Sequence, residues 1–210
     1  EFDDFQRIEE DKTNLLDAFV SATGSGKKWF GDYFLQTRSR DYNFDFPNLV
    51  PGSSARLRAE FAGRCTLSTV VRLTVDGTTL SRTLTGVKVS DNELTYASLG
   101  VFQSTFQPDG DDIDVNIEYP EVSQQSEGWL DFIEVNARRR LIMEGQSMAF
   151  RDKQTITQDF ATFRLSGANG NLTVWDITNA QVPYLQQKTQ SGGTLEFGAN
   201  TLGVLRDFIA

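Results

Sequence analysis

The chain has 210 residues, 39% of them hydrophobic and 16 of them Phe, enough for the packed core of one large all-β domain or two modest ones. Its 29 acidic residues against 20 basic ones give a net charge of −9, which argues against nucleic acid, because a phosphate backbone needs concentrated Lys and Arg to displace its counterions. There is no His, which closes Ser–His and Cys–His nucleophile activation and removes the commonest zinc ligand.

The chain opens at "EFDDF" without an initiator Met, as an internal piece of a longer protein would. No run of about 18 apolar residues is present to span a bilayer as a helix. Residues 1–26 read as a leader. Within it "RIEEDKTNLLDAFVSA" (7–22) has helical composition, with Ile8, Leu15, Leu16, Phe19 and Val20 as a partial apolar stripe that "GSG" at 24–26 would stop. A short helix and an extended segment are both compatible with it.

From there strands and turns dominate. "YNFDF" (42–46) alternates strictly and ends at Pro47 and the turn residues "PGSS". "ARLRAEFA" (55–62) places Leu57, Ala59 and Phe61 on one face and Arg56, Arg58 and Glu60 on the other. "TVVRLTVDGTTL" (69–80) alternates through Val71, Leu73 and Val75 into Asp76-Gly77, a strong hairpin dipeptide. Ile113, Val115, Ile117 and Tyr119 form a further period-two set. Strands at this spacing predict an all-β, mainly antiparallel sandwich, jelly-roll-like, over residues 27–157. Residues 158–210, with Phe163 and Leu165, Leu172 and Val174 in alternation and "GANGN" as a hairpin, predict a smaller β unit.

"GWLDFIEVNARRR" (128–140) carries apolar residues on both faces before three arginines. Alternation assigns Trp129, Asp131, Ile133 and Val135 to one face. Arg138, Arg139 and Arg140 read as the point where an inner strand reaches solvent, or as a basic docking patch.

Other candidates for chemistry are few. Cys65, in the strand-like "AGRCTLST", is a single thiol with no neighbour in sequence to lower its pKa, and is expected to be inert. Asp109, Asp111, Asp112 and Asp114 gather hard oxygen ligands in "PDGDDIDVN", but without EF-hand spacing, so an acidic solvated turn is favoured over a metal site. No cofactor is called for. A glycosidase needs only two carboxylates facing one cleft, and the acidic content leaves that open. Trp29, Trp129 and Trp175 could stack on sugars, although their apolar neighbours favour core packing for each.

The blocks "GKKWFGDYF" (27–35), "YNFDFPNLVPGS" (42–53), "WLDFIEVNARRRL" (129–141), "MAFRD" (148–152) and "VWDIT" (174–178), in that order, resemble the region that precedes the peptidase domain in the sortase family of the Bacteroidetes type IX secretion system, the PorU-type gingipain-like cysteine peptidases. The resemblance runs from about residue 24 to the end. It implies a parent enzyme on the cell surface, at the outer membrane, that removes C-terminal sorting domains from secreted cargo and links the cargo to anionic lipopolysaccharide. In that family the catalytic Cys and His lie downstream of this region, so no catalytic residue carries over. The implied partners are the chain's own downstream peptidase domain and outer-membrane secretion components. On this reading the fragment is a non-catalytic scaffold, and the segment 172–210, with Trp175, Tyr184, Phe197 and Phe208, is the expected docking surface. The competing reading is a carbohydrate-binding sandwich on an extracellular enzyme or adhesin.

Overall fold

The computed structural model describes residues 1–15, 28–90, 95–168 and 172–210. In chain order the first strands are β1 (Phe2–Glu9), β2 (Thr13–Asn14), β3 (Trp29–Phe30), β4 (Tyr33–Phe34), β5 (Ser39–Asp45) and β6 (Ala55–Arg64). Then come β7 (Thr69–Val75), β8 (Thr78–Leu84), β9 (Ser98–Phe106), β10 (Asp112–Glu118), β11 (Glu127–Arg139) and β12 (Ala149–Arg151). A 3-10 turn, Lys153–Thr157, precedes β13 (Phe160–Ser166), β14 (Trp175–Asp176), β15 (Tyr184–Leu185), β16 (Lys188–Ser191), β17 (Thr194–Asn200) and β18 (Asp207–Ile209). The chain is all-β, and its strands pair mainly antiparallel. Of the stretch with helical composition, Arg7 to Glu9 belong to β1 and Thr13 and Asn14 to β2, while residues 16–22 lie outside the described residues. Among the described residues of the stretch, strand pairing takes the place of a helix, which a stripe that weak would leave marginal in water.

The chain forms two compact units. The larger comprises residues 5–45 and 54–136, the smaller 1–4, 46–53 and 137–210. The division thus falls at 136/137 rather than at 157/158, and the smaller unit draws in two segments from far upstream. Composition and periodicity carry no trace of such recruitment.

In the larger unit β6 lies between β9 and β11, with β4 on the far side of β11, while β5, β10, β7 and β8 form a second sheet in that order. The inward residues are those the alternation marks: Leu57, Ala59 and Phe61 on β6, Val71, Leu73 and Val75 on β7, and Ile113, Val115 and Ile117 on β10 are buried. Each of these Val, Leu, Ile and Phe side chains contributes about 1.5–3 kcal/mol through burial. Phe61 meets Tyr119 across the core at 5.3 Å between ring centroids. At Gly128 an added Cβ would lie 2.6 Å from Phe61 Cζ and 2.9 Å from Tyr119 Cδ1, so the two rings occupy its side-chain space. The β7–β8 hairpin turns through Asp76 and Gly77, both at positive φ (41° and 75°), as a primed two-residue turn requires.

One feature of β11 escapes alternation. Its register against β6 shifts between Leu130, opposite Phe61, and Phe132, opposite Glu60, so Asp131 is an extra residue, a β-bulge. Residues directly opposite share a face, so Leu130 joins Phe61 toward the core while Trp129 joins Ala62 on the other side. Trp129 is therefore not on the face of Ile133 and Val135. It belongs to a separate apolar cluster with Leu15, Phe30, Ala62 and Ala97.

The smaller unit has a sheet ordered β15, β14, β18, β12, with the start of β1 added through Asp3 opposite Arg151, and a second sheet β13–β17–β16. Its core is aromatic. Phe163 stacks on Phe197 (5.2 Å, 12°), Phe208 meets both edge-on at 4.9 Å, and Phe150 and Phe2 extend the cluster. Residues 46–53 are stitched to the end of β11 by Val50 N–H to Arg138 O (3.0 Å) and Arg140 N–H to Asn48 O (2.9 Å). The "GANGN" hairpin falls partly outside the described residues. β16 and β17 turn instead at Gly192 and Gly193, with φ of 57° and 79°.

Candidate interaction surface

The arginine triplet is not a solvated strand exit. Arg138 is drawn between Asp152 (2.9 Å), Asp3 (3.2 Å) and Glu1 (3.4 Å). Arg139, 6% exposed, pairs with Asp4 at 2.6 Å and with Glu144, and its Nε–H donates to the Pro47 carbonyl at 2.6 Å. Burial disfavours both guanidinium charges, but the surrounding carboxylates outweigh it and hold both above the ordinary arginine value. These two arginines tie the N-terminus, the 46–53 segment and β11 into one unit. Arg140 alone of the three is exposed.

The C-terminal docking candidates divide in the same way. Phe197 and Phe208 are buried in the aromatic core and are not surface groups. Trp175 is 40% and Tyr184 62% exposed, and the structure adds Val182 and Leu185, which alternation had not marked because a two-residue strand is too short to show a period. β15 is the last strand of its sheet, so these side chains border an open edge. Beside them a hollow of about 390 Å³ is lined by Asp176, Val182, Tyr184, Asn200 and Arg206, among others. Arg206 pairs with Asp176 at 3.4 Å and donates from Nε to the Asn200 carbonyl at 2.8 Å, which fixes the polar rim.

The remaining candidates resolve one by one. Trp129 is a buried side chain, whereas Trp29 on the short β3 and Trp175 on β14 are more than a third exposed, against the expectation of core packing for each. Cys65 is buried but not without partners. Burial pushes its thiol up, while the Ser123 and Ser126 hydroxyls (3.3 and 3.4 Å) and the Leu67 N–H (3.4 Å) reach the sulfur and bring it net below the ordinary thiol value. Ser123 and Ser126 lie some sixty residues away in sequence, which is why no local signal announced them. In the acidic loop, burial raises the Asp76 carboxyl, and backbone hydrogen bonds from Asp109 and Asp114 oppose it. Among the described residues no group of three or more His, Cys, Asp or Glu is placed to hold a metal ion.

A buried charge cluster in the larger unit is one that sequence reading missed. Lys28 pairs with Asp131 at 2.9 Å and with Glu60. Alternation had put Glu60 with Arg56 and Arg58 on the face of β6 opposite Phe61, and there the bulge turns Asp131 beside it and Lys28 covers both. One ammonium is thus shared by two buried carboxylates.

No family model matches the chain, and no curated protein matches it. Among solved structures, dimeric latent PorU from Porphyromonas gingivalis superposes with a TM-score of 0.79 at 17% identity, over 99% of this chain and 20% of the PorU chain. A carbohydrate-binding module, CBM36 in complex with calcium and xylotriose, matches at a TM-score of 0.31 and 18% identity, over 51% of this chain and 76% of its own. CBM35 from Cellvibrio japonicus Abf62 matches at 0.38 and 9% identity, over 65% and 99%. The PorU likeness establishes a shared fold, and this chain spans about a fifth of that protein's length. The module likenesses are too slight to establish a common topology.

Proposed function

We propose that this chain is a non-catalytic β-sandwich region of a cell-surface cysteine endopeptidase of the type IX secretion sortase kind, and that it holds the peptidase domain in position at the outer membrane. The observation that carries this reading is the extent of the likeness to PorU, 99% of the chain at a TM-score of 0.79, together with the ordered sequence blocks. The absence of His and the burial of Cys65 support a holding role without chemistry. A sandwich suits that role, since its edges and loops can vary while the core stays fixed.

Within this reading the docking face is Trp175, Val182, Tyr184 and Leu185 along the open edge of β15. Exposed apolar side chains grouped beside a polar rim are what a partner domain would cover. The test is made on the parent polypeptide. A peptidase domain with Cys and His should be encoded beyond residue 210, and amide hydrogen exchange at residues 175–185 should be slower in the parent than in this chain alone. Equal exchange in both, or a parent without such a domain, overturns the proposal.

A further inference from the structure

The bulge at Asp131 has a second effect in the larger unit: it turns Trp129 away from the sandwich core toward a hollow of about 390 Å³, lined by Asn14, Leu15, Tyr33, Tyr96, Glu127 and Trp129, among others. That volume lies in the range of small-molecule sites. Tyr33 stacks on Trp129 with ring centroids 5.2 Å apart and planes 24° from parallel, and it is 37% exposed. Tyr96 approaches the same indole at 6.3 Å. The Tyr33 hydroxyl donates to Glu127 Oε1 at 2.8 Å, Arg64 Nη1 donates to Glu127 Oε2 at 3.1 Å, and the Arg64 guanidinium lies 4.4 Å from the Tyr96 ring centroid. Arg64 is held in turn by the Val89 carbonyl at 2.8 Å. The five side chains form a closed ring of contacts, so the aromatic faces and the polar groups are fixed before any ligand arrives.

We propose that this hollow binds a neutral pyranose unit of a glycan, with Tyr33, backed by Trp129, and Tyr96 offering ring faces to the sugar's C–H surface and the Glu127–Arg64 pair meeting its hydroxyls. An aromatic face matches the apolar side of a pyranose, and a planar carboxylate beside a planar guanidinium supplies both an acceptor and donors for hydroxyl groups. Neutrality of the ligand follows from charge: Glu127 and Arg64 cancel locally, and a chain of net −9 repels polyanions. Burial, with the hydrogen bond to Glu127, pushes the Tyr33 hydroxyl up to about 12, so it stays protonated, and its bond to Glu127 intact, through the physiological range.

This site is independent of the docking face in the smaller unit, and its test has a separate readout. The chain is run in native gels cast with yeast mannan, barley β-glucan or xylan, with alginate as the anionic comparator. At least one neutral polymer should retard it, alginate should not, and Tyr33→Ala should weaken the retardation at least tenfold while the melting transition stays that of a folded protein. Should Tyr33→Ala fail to fold, Tyr96→Ala carries the same expectation. Absence of retardation by all three neutral polymers, retardation by alginate alone, or retardation unchanged in the folded variants overturns the proposal.

Discussion

Arg139 is a buried cation and Lys28 a half-buried one that caps two buried carboxylates, and their neighbours in sequence gave no hint of their partners. Asp4, which pairs with Arg139, lies 135 residues upstream, and Asp131, which pairs with Lys28, reaches it only through a bulge. Removing one member of a buried pair strands the other charge, so Arg139→Met should cost about 3 kcal/mol in urea denaturation, whereas the exposed Arg140→Ala should change stability by less than about 0.5 kcal/mol. Equal small losses in both would mean that the triplet is solvated after all. The Lys28 cluster has a pH signature. Burial raises the Asp131 carboxyl above its ordinary value, and Lys28 pulls it the other way. A carboxyl whose native pKa is raised favours the folded state below its unfolded pKa and loses that contribution as pH climbs through the native value. Lys28→Met removes the opposing charge and raises Asp131 further. The variant should therefore lose about 3 kcal/mol at pH 7, and the loss should shrink on acidification toward pH 4, as Asp131 takes up its proton. A loss that stays constant between those pH values would assign the role of Lys28 to its apolar stem.

At the scale of elements, alternation was legible wherever a strand has one buried face. β6, β7 and β10 carry their apolar residues on the faces that period-two reading assigns, and the Asp76-Gly77 turn lies where the dipeptide puts it. The failures share a cause. A bulge adds a residue without Gly or Pro to mark it, so every side chain before Asp131 in β11 changes face, and with it the placement of Trp129 and the surroundings of Glu60. Gly128 reports the packing on the core side of that bulge. Gly128→Ala should cost about 1–3 kcal/mol, because the new methyl meets the Phe61 and Tyr119 rings, both fixed in the core. Trp129→Ala, on the other side, should cost about 3–5 kcal/mol through the cavity it leaves between Leu15, Phe30 and Ala97. Denaturation midpoints of the two variants check both figures, and a neutral Gly128→Ala would mean that the bulge places that backbone elsewhere.

For the whole molecule, the fold class was readable from the strand pattern, but the division into units was not, because four residues at the N-terminus and eight at 46–53 belong with residues 137–210. The N-terminal four do so through three side chains: Phe2 packs against Phe150 in the aromatic core, Asp3 pairs with Arg138, and Asp4 with Arg139. Deleting residues 1–4 removes a fully buried ring and strips carboxylates from the buried Arg139 and the half-buried Arg138 at once, and loss of the ring alone would cost about 3 kcal/mol or more. None of these contacts reaches the residues that form the core of β6, β7 and β10. The deletion should therefore speed hydrogen exchange in β12, β13 and β17, far from the cut in sequence, while β6, β7 and β10 keep their protection. Uniform acceleration across all six strands would show that the units unfold as one, and unchanged exchange in β12, β13 and β17 would show that the N-terminus is an ornament to the smaller core rather than part of it.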